Sequence, residues 1–257
     1  EVAVRAAFAV AINSRQVLVL CPTTILAEQH WNTFRERFRD FPLTVEMVSR
    51  FRKPAETKKV LADFAAGKVD VLVGTHRVLS RDVIPNALGL VILDEEQRFG
   101  VSQKELLRSL RLEVDVLALS ATPIPRTLHM SLSGLRDISI IETPPEGRRP
   151  IRTTVGEYDE ELVKLALERE VERDGQAFFL HNRVETIEER AAQLGQLCPK
   201  LRFLVAHGQM KEKDLEEKMH AFLRGDADVL VSTTIIESGI DIPQANTLIV
   251  ERADMLG

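Results

Sequence analysis

The residues best suited to chemistry are Asp94-Glu95-Glu96-Gln97, which follow the apolar run Leu90-Val91-Ile92-Leu93. Carboxylates at the carboxyl end of a strand can hold Mg²⁺ on a nucleotide, because that ion takes oxygen ligands. A neighbouring carboxylate can orient or deprotonate an attacking water. The plain alternative is an acidic turn that closes a strand. Leu119-Ser120-Ala121-Thr122-Pro123 ends a second apolar run. Its hydroxyls can relay hydrogen bonds, although Ser, Thr and Pro also favour ordinary turns. Cys21-Pro22-Thr23-Thr24 and Gly74-Thr75-His76-Arg77 each follow a strand-like segment. Backbone N–H groups and hydroxyls there suit phosphate oxygens, although for either segment in isolation a threonine helix cap explains it better. The longest such stretch is Ser232-Thr233-Thr234-Ile235-Ile236-Glu237-Ser238-Gly239-Ile240-Asp241-Ile242-Pro243. It sets hydroxyls, a glycine and an acid within reach of phosphate and ribose, or forms a capped loop. His181-Asn182-Arg183 and His207-Gly208-Gln209-Met210 close two further apolar runs and read as structural or DNA-facing.

The elements that must position these residues alternate between short apolar runs and amphipathic stretches, the rhythm of parallel α/β units. Helices are predicted over 1–13, 24–38, 53–66, 159–173, 185–197 and 211–223. Strands are predicted over 17–20, 44–49, 69–73, 88–93, 114–119, 176–180, 201–205, 228–232 and 247–251. Thr143 to Pro150 holds three prolines and a glycine, which exclude helix and central strand. This predicts an α/β fold of two lobes with parallel sheets flanked by helices, residues 1–143 and 151–257, joined by a Pro/Gly-rich linker at 144–150. No sequence repeat is expected between the blocks, only a similar rhythm. Ligands of such sheets bind at the carboxyl ends of strands, where every motif above falls.

Composition narrows the classes. The chain has 257 residues, 44% hydrophobic and 28% charged, enough for two cores. No apolar run approaches the roughly 20 residues of a membrane span, so no membrane partner is expected. The start is not that of a signal peptide. Cys21 and Cys198 fall in different blocks, which points to reduced thiols and a cytoplasmic protein rather than a disulfide scaffold. Zinc-ligand spacing is absent. The net charge of -5 weighs against tight nucleic-acid binding by the chain as a whole, so such contacts must be local.

Taken together and in this order, the segments resemble the motor of superfamily 2 helicases. Asp94-Glu95-Glu96-Gln97 is similar to motif II and Ser120-Ala121-Thr122 to motif III. Pro22-Thr23-Thr24 is similar to motif Ia, Gly74-Thr75-His76 to Ib, and the run from Ser232 to Pro243 to motif V. Ser120-Ala121-Thr122-Pro123-Ile124-Pro125-Arg126-Thr127-Leu128 resembles the pair formed by RecG-type helicases and the bacterial transcription-repair coupling factors. Ser49-Arg50-Phe51-Arg52, the run from Met130 to Pro145, and Glu251-Arg252-Ala253-Asp254 resemble the coupling-factor side of that pair. So does Glu96-Gln97, where RecG-type enzymes more often have Gln-His.

The resemblance implies two RecA-like lobes and an ATP- and Mg²⁺-dependent translocase on double-stranded DNA. Such a motor displaces stalled RNA polymerase and recruits excision-repair proteins through other domains. It implies Asp94 as metal ligand and Glu95 as the residue that polarises water. Gln97, Ser120 and Thr122 would complete the catalytic set. Gly239 and Asp241 would contact the nucleotide. Pro22, Thr23, Thr24, Gly74, Thr75, His76, His181, Asn182, Thr233 and Thr234 would face DNA. The family's phosphate-cradling Gly-Lys-Thr loop is expected just before Glu1 and its arginine finger beyond Gly257. The chain therefore reads as a fragment that hydrolyses ATP negligibly alone. A RecG-type helicase and a non-enzymatic DNA-binding scaffold are the alternatives.

Overall fold

A computed structural model describes residues 1–49, 52–99, 114–121, 137–144, 147, 150–234 and 240–255. The chain divides into two compact units, Glu1–Thr143 and Pro144–Gly257. Residues 145–146 and 148–149 of the expected linker lie outside the described residues.

The first unit is a parallel sheet of five strands in the order β2-β3-β1-β4-β5. These are β1 (Gln16–Leu20), β2 (Val45–Val48), β3 (Val71–Gly74), β4 (Leu88–Asp94) and β5 (Asp115–Leu119), with helices α1 (Val2–Ala11), α2 (Thr24–Phe38) and α3 (Pro54–Ala65). β1 is the central strand and is buried along its whole length. A strand covered on both faces must be apolar throughout, which is why Val17-Leu18-Val19-Leu20 shows no alternation. Thr23 caps α2 by accepting from the Leu26 N–H at 3.5 Å, and Pro54 starts α3 where no amide partner is needed. Phe64 anchors one face of the core with Leu20, Leu72, Val91 and Leu93.

The second unit has four parallel strands in the order β7-β8-β6-β9. They are β6 (Gln176–Leu180), β7 (Phe203–Ala206), β8 (Val229–Ser232) and β9 (Ala245–Val250), with helices α4 (Glu160–Glu172), α5 (Ile187–Leu197) and α6 (Glu212–Leu223). Asp159 caps α4 by accepting from Glu161 N at 2.9 Å and Leu162 N at 3.2 Å. Element types follow the sequence reading, and boundaries shift by a few residues. A 3-10 turn at Val184–Thr186 replaces the expected start of α5. β9 begins at Ala245, two residues early, because Gln176 N donates to Gln244 O and ties that segment to β6.

The expectation of no repeat is wrong. Sheet order and register match between β2-β3-β1-β4 and β7-β8-β6-β9: Leu20 pairs with Gly74 and Leu93, and Leu180 with Ser232 and Val250. Both central strands carry a register shift after their first residue, Gln16 and Gln176. Ser14 and Asp174, two residues before each, both have φ of 59°. Gln16 Nε2 donates to Phe64 O and Val69 O, both at 2.7 Å. Gln176 Nε2 donates to Phe222 O and Ala227 O, both at 2.8 Å. Asp70 and Asp228 each accept the N–H of Thr44 or Arg202 at 2.7 Å. The residues underneath are alike: Phe64–Thr75 and Phe222–Thr233 agree at seven of twelve positions.

The buried glutamine is a structural pin. Gln16 Oε1 also accepts from Asn86 N at 2.6 Å and Ala87 N at 3.1 Å. Gln16→Leu would strand Val69 O and the Asn86 and Ala87 amides away from water, while Phe64 O keeps the Gly67 N–H, at about 1–3 kcal/mol for each group that finds no other partner. A loss of about 3–5 kcal/mol from the first unit is expected, read as a lower urea midpoint for that unit.

Candidate functional site

Four parallel strands of the first unit deliver Cys21, Thr75, Asp94-Glu95 and Ser120 to one edge of the sheet. Asp94 is the last residue of β4 and Glu95 turns the chain. Glu95 has φ 52° and ψ 52°, the left-handed region, in a residue that is not glycine. That conformation costs about 1–2 kcal/mol. The Glu95 N–H donates to Leu119 O at 3.0 Å, which fixes the turn against β5. The Glu95 side chain is buried, and its Oε2 accepts from Gln97 Nε2. Its Oε1 lies 3.4 Å from the Ala121 N–H, and Ser120 Oγ lies 3.4 Å from Gln97 Oε1. The structure thus brings Asp94, Glu95, Gln97 and Ser120 together. Thr122 lies outside the described residues.

His30, on α2, belongs to this cluster and was missed by the sequence reading. Its Nε2 donates to Asp94 Oδ2 at 2.7 Å. Cys21 lies at the same edge, fully buried. Burial first, and then the charge of Asp94, push its thiol well above the usual range. It stays neutral, neither nucleophile nor metal ligand.

Among the described residues no group of three or more His, Cys, Asp or Glu is placed to hold a metal ion. Mg²⁺ needs no such cage when a nucleotide supplies oxygens, since one or two carboxylates plus phosphates suffice. Asp94 fits that requirement: one oxygen meets His30, and its side chain remains partly exposed.

The corresponding edge of the second unit carries His181, Asn182, His207 and Ser232–Thr234. His181 is held within the unit, Nδ1 against Glu251 and Nε2 2.8 Å from Thr186 Oγ1. Arg190 Nε lies 2.7 Å from Glu251 Oε1, an ion pair by distance whose N–H points off the oxygen. At this edge Asn182 Oδ1, His207 Nδ1 and Ser232 Oγ are buried with no hydrogen-bond partner among the described residues. They follow or end the adjacent strands β6, β7 and β8. Buried polar atoms are costly unless paired, so such a set marks an edge that can take further hydrogen bonds.

The other expected contact residues sit along the two edges. Pro22 and Thr23 are half-buried, His76 and Thr234 exposed, and Gly74 is buried. Thr24, Thr75 and Thr233 are buried. Thr23 spends its hydroxyl on the α2 cap. Asp241 is exposed on the segment leading to β9, and Gly239 lies outside the described residues.

Comparison with known proteins agrees with this layout. Residues 1–131 match the DEAD/DEAH box helicase family and residues 157–255 the helicase conserved C-terminal domain. The transcription-repair-coupling factors of Staphylococcus haemolyticus and Staphylococcus aureus are each 55% identical to this chain over its whole length. The chain spans 22% of the length of those relatives. The structure of RecG bound to a three-way DNA junction superposes with TM-score 0.74 at 34% identity, covering 91% of this chain and 31% of that one. Dbp5 of S. cerevisiae bound to RNA and ADP BeF3 shares the fold at TM-score 0.61 and 16% identity, over 92% of this chain and 62% of that one. Two parallel sheets flanked by helices, an acid pair at a strand end and both family matches give one conclusion: the chain carries two RecA-like lobes and belongs to the DEAD/DEAH box helicase family.

Proposed function

We infer that this chain is the motor of an ATP-dependent double-stranded DNA translocase that displaces stalled RNA polymerase and couples transcription to excision repair. The observation that carries the motor reading is the strand-end pair Asp94 and Glu95, one acid open to a cation, the other buried in a left-handed turn. A bulky residue persists in that conformation only where surrounding structure imposes it, and such sites cluster where function needs them. The likeness to transcription-repair-coupling factors along the whole chain supports the finer role. RNA polymerase and excision-repair proteins would be met through segments beyond these 257 residues, in the cytoplasm. Among the described residues no helix is long and apolar enough to cross a membrane.

Asp94 would hold Mg²⁺, which when bound neutralises charge on the phosphate oxygens. Glu95 would orient and deprotonate the attacking water. Gln97 and Ser120, hydrogen-bonded in series to Glu95, would fix its carboxylate. Ser232 Oγ, and His207 Nδ1 as its N–H tautomer, can donate to phosphate oxygens of the DNA backbone, Asn182 would do so through its amide N–H₂, and the starts of α2 and of the turn at His76 offer backbone N–H groups. Contacts of this kind position without reading sequence. The test is ATP turnover by the full-length protein with and without double-stranded DNA of unrelated sequences. Turnover should rise with every duplex. Turnover indifferent to DNA would remove the motor reading.

A further inference from the structure

The two lobes repeat one frame but treat its acid in opposite ways. Asp94 follows Leu93, the residue paired with the end of β1, and Glu251 follows Val250, the residue paired with the end of β6. His30 stands ten residues beyond Leu20, and Arg190 ten beyond Leu180. His30 meets Asp94 and Arg190 meets Glu251, each at 2.7 Å. The pairs are therefore equivalent: a helix residue at a fixed distance from the central strand grips the acid at the end of the neighbouring strand.

The grips differ in how much of the carboxylate they occupy. Glu251 has Arg190 on Oε1 and His181 on Oε2, so both oxygens are taken. Arg190 is itself wedged over Tyr158 at 4.7 Å and Phe179 at 5.5 Å, and only 11% of its side chain is exposed. A fixed guanidinium cancels the carboxylate's charge and occupies the side from which a cation would approach. Asp94 has one imidazole on Oδ2, and that His30 side chain is 34% exposed. A single imidazole on one oxygen orients a carboxylate and leaves its other oxygen for the ion, as partners of metal-binding carboxylates do.

We propose that His30 is the positioning residue for the metal carboxylate, and that having histidine there rather than arginine reserves the cation site for the first lobe. The proposal rests on the reading of Asp94 as the Mg²⁺ ligand. His30 holds Oδ2 and leaves Oδ1 to the ion or its water. Glu251, in the same place, serves only to lock β6, β9 and α5 together.

The experiment is equilibrium binding of a fluorescent, non-hydrolysable ATP analogue to the full-length protein, titrated with Mg²⁺, with no turnover involved. His30→Ala should raise the half-saturating Mg²⁺ concentration about tenfold. His30→Gln places an amide donor where Nε2 was and should restore it to near the unaltered value. His30→Arg copies the second lobe and should abolish the Mg²⁺ dependence while circular dichroism and melting stay native. Unchanged Mg²⁺ dependence in His30→Ala, or normal dependence in His30→Arg, would overturn the proposal. So would a loss in His30→Ala that His30→Gln fails to restore. If the unaltered protein itself binds the analogue without regard to Mg²⁺, the nucleotide reading of Asp94 fails first, and its failure is visible without any variant.

Discussion

Glu95→Gln in the full-length protein is expected to lower DNA-stimulated ATP turnover by about 10²–10⁴-fold, the usual contribution of a positioned general base. Nucleotide binding should be unchanged. The substitution is close to isosteric: its amide oxygen can accept from the Ala121 N–H, and its amide N–H₂ can donate to Gln97 once that side chain turns its oxygen inward. It removes only the charge that draws a proton from water. The backbone supports this separation: the turn is pinned by the Glu95 N–H on Leu119 O, a bond that any side chain at this position leaves intact. Single-turnover hydrolysis beside analogue binding reads both quantities. Turnover within a few-fold of the unaltered protein would take Glu95 out of the role, whatever the fate of Asp94.

The second large effect concerns the 257 residues by themselves. Their single Gly-Lys pair is Gly67-Lys68, and Val69 follows it where a phosphate loop needs Ser or Thr. Gly67 lies between α3 and β3, so it precedes its strand, whereas Asp94 ends β4. The strands are parallel, so the pair sits at the opposite edge of the sheet from the acids. No lysine of this kind can cradle the phosphates that Asp94 and Glu95 would serve. Turnover by this chain alone should fall about 10³–10⁵-fold below that of the full-length protein, the scale on which cationic phosphate clamps act in related enzymes. A coupled assay with both proteins at equal concentration checks it, and comparable rates would mean that the phosphates are held some other way.

Much of the fold could be read from residues because its signals are local. β4 is an apolar run that stops at acids, and Thr23, Pro54 and Asp159 announce the starts of three helices. Gln97 and Ser120 stand beside Glu95 because their motifs end adjacent strands. The unread features are long-range. His30 reaches Asp94 across 64 positions, and the rotational phase of α2 against β1 and β4 decides that contact. Arg190 and Glu251 meet in the same way in the second lobe. Buried Gln16 and Gln176 look like unremarkable polar residues at strand starts until their carbonyl partners are known. The repeat is present between Phe64–Thr75 and Phe222–Thr233, but the segments around it have diverged, so a shared rhythm was visible and a shared frame was not. The left-handed turn at Glu95 has no local signal, since glycine rather than glutamate is the residue that announces one.

The frame also gives physical content to the asymmetry between the lobes. Each presents an acid at the same strand end; Glu251 meets a partner on both oxygens and Asp94 meets His30 on Oδ2. The central claim is that ATP hydrolysis at Asp94 and Glu95 drives movement along duplex DNA. Its most direct measurement is displacement of a third strand from a DNA triplex by the full-length protein. The expected result is displacement with ATP, and none with a non-hydrolysable analogue or with Glu95→Gln. Robust DNA-stimulated ATP turnover that leaves the third strand in place, or displacement that survives Glu95→Gln, would contradict it.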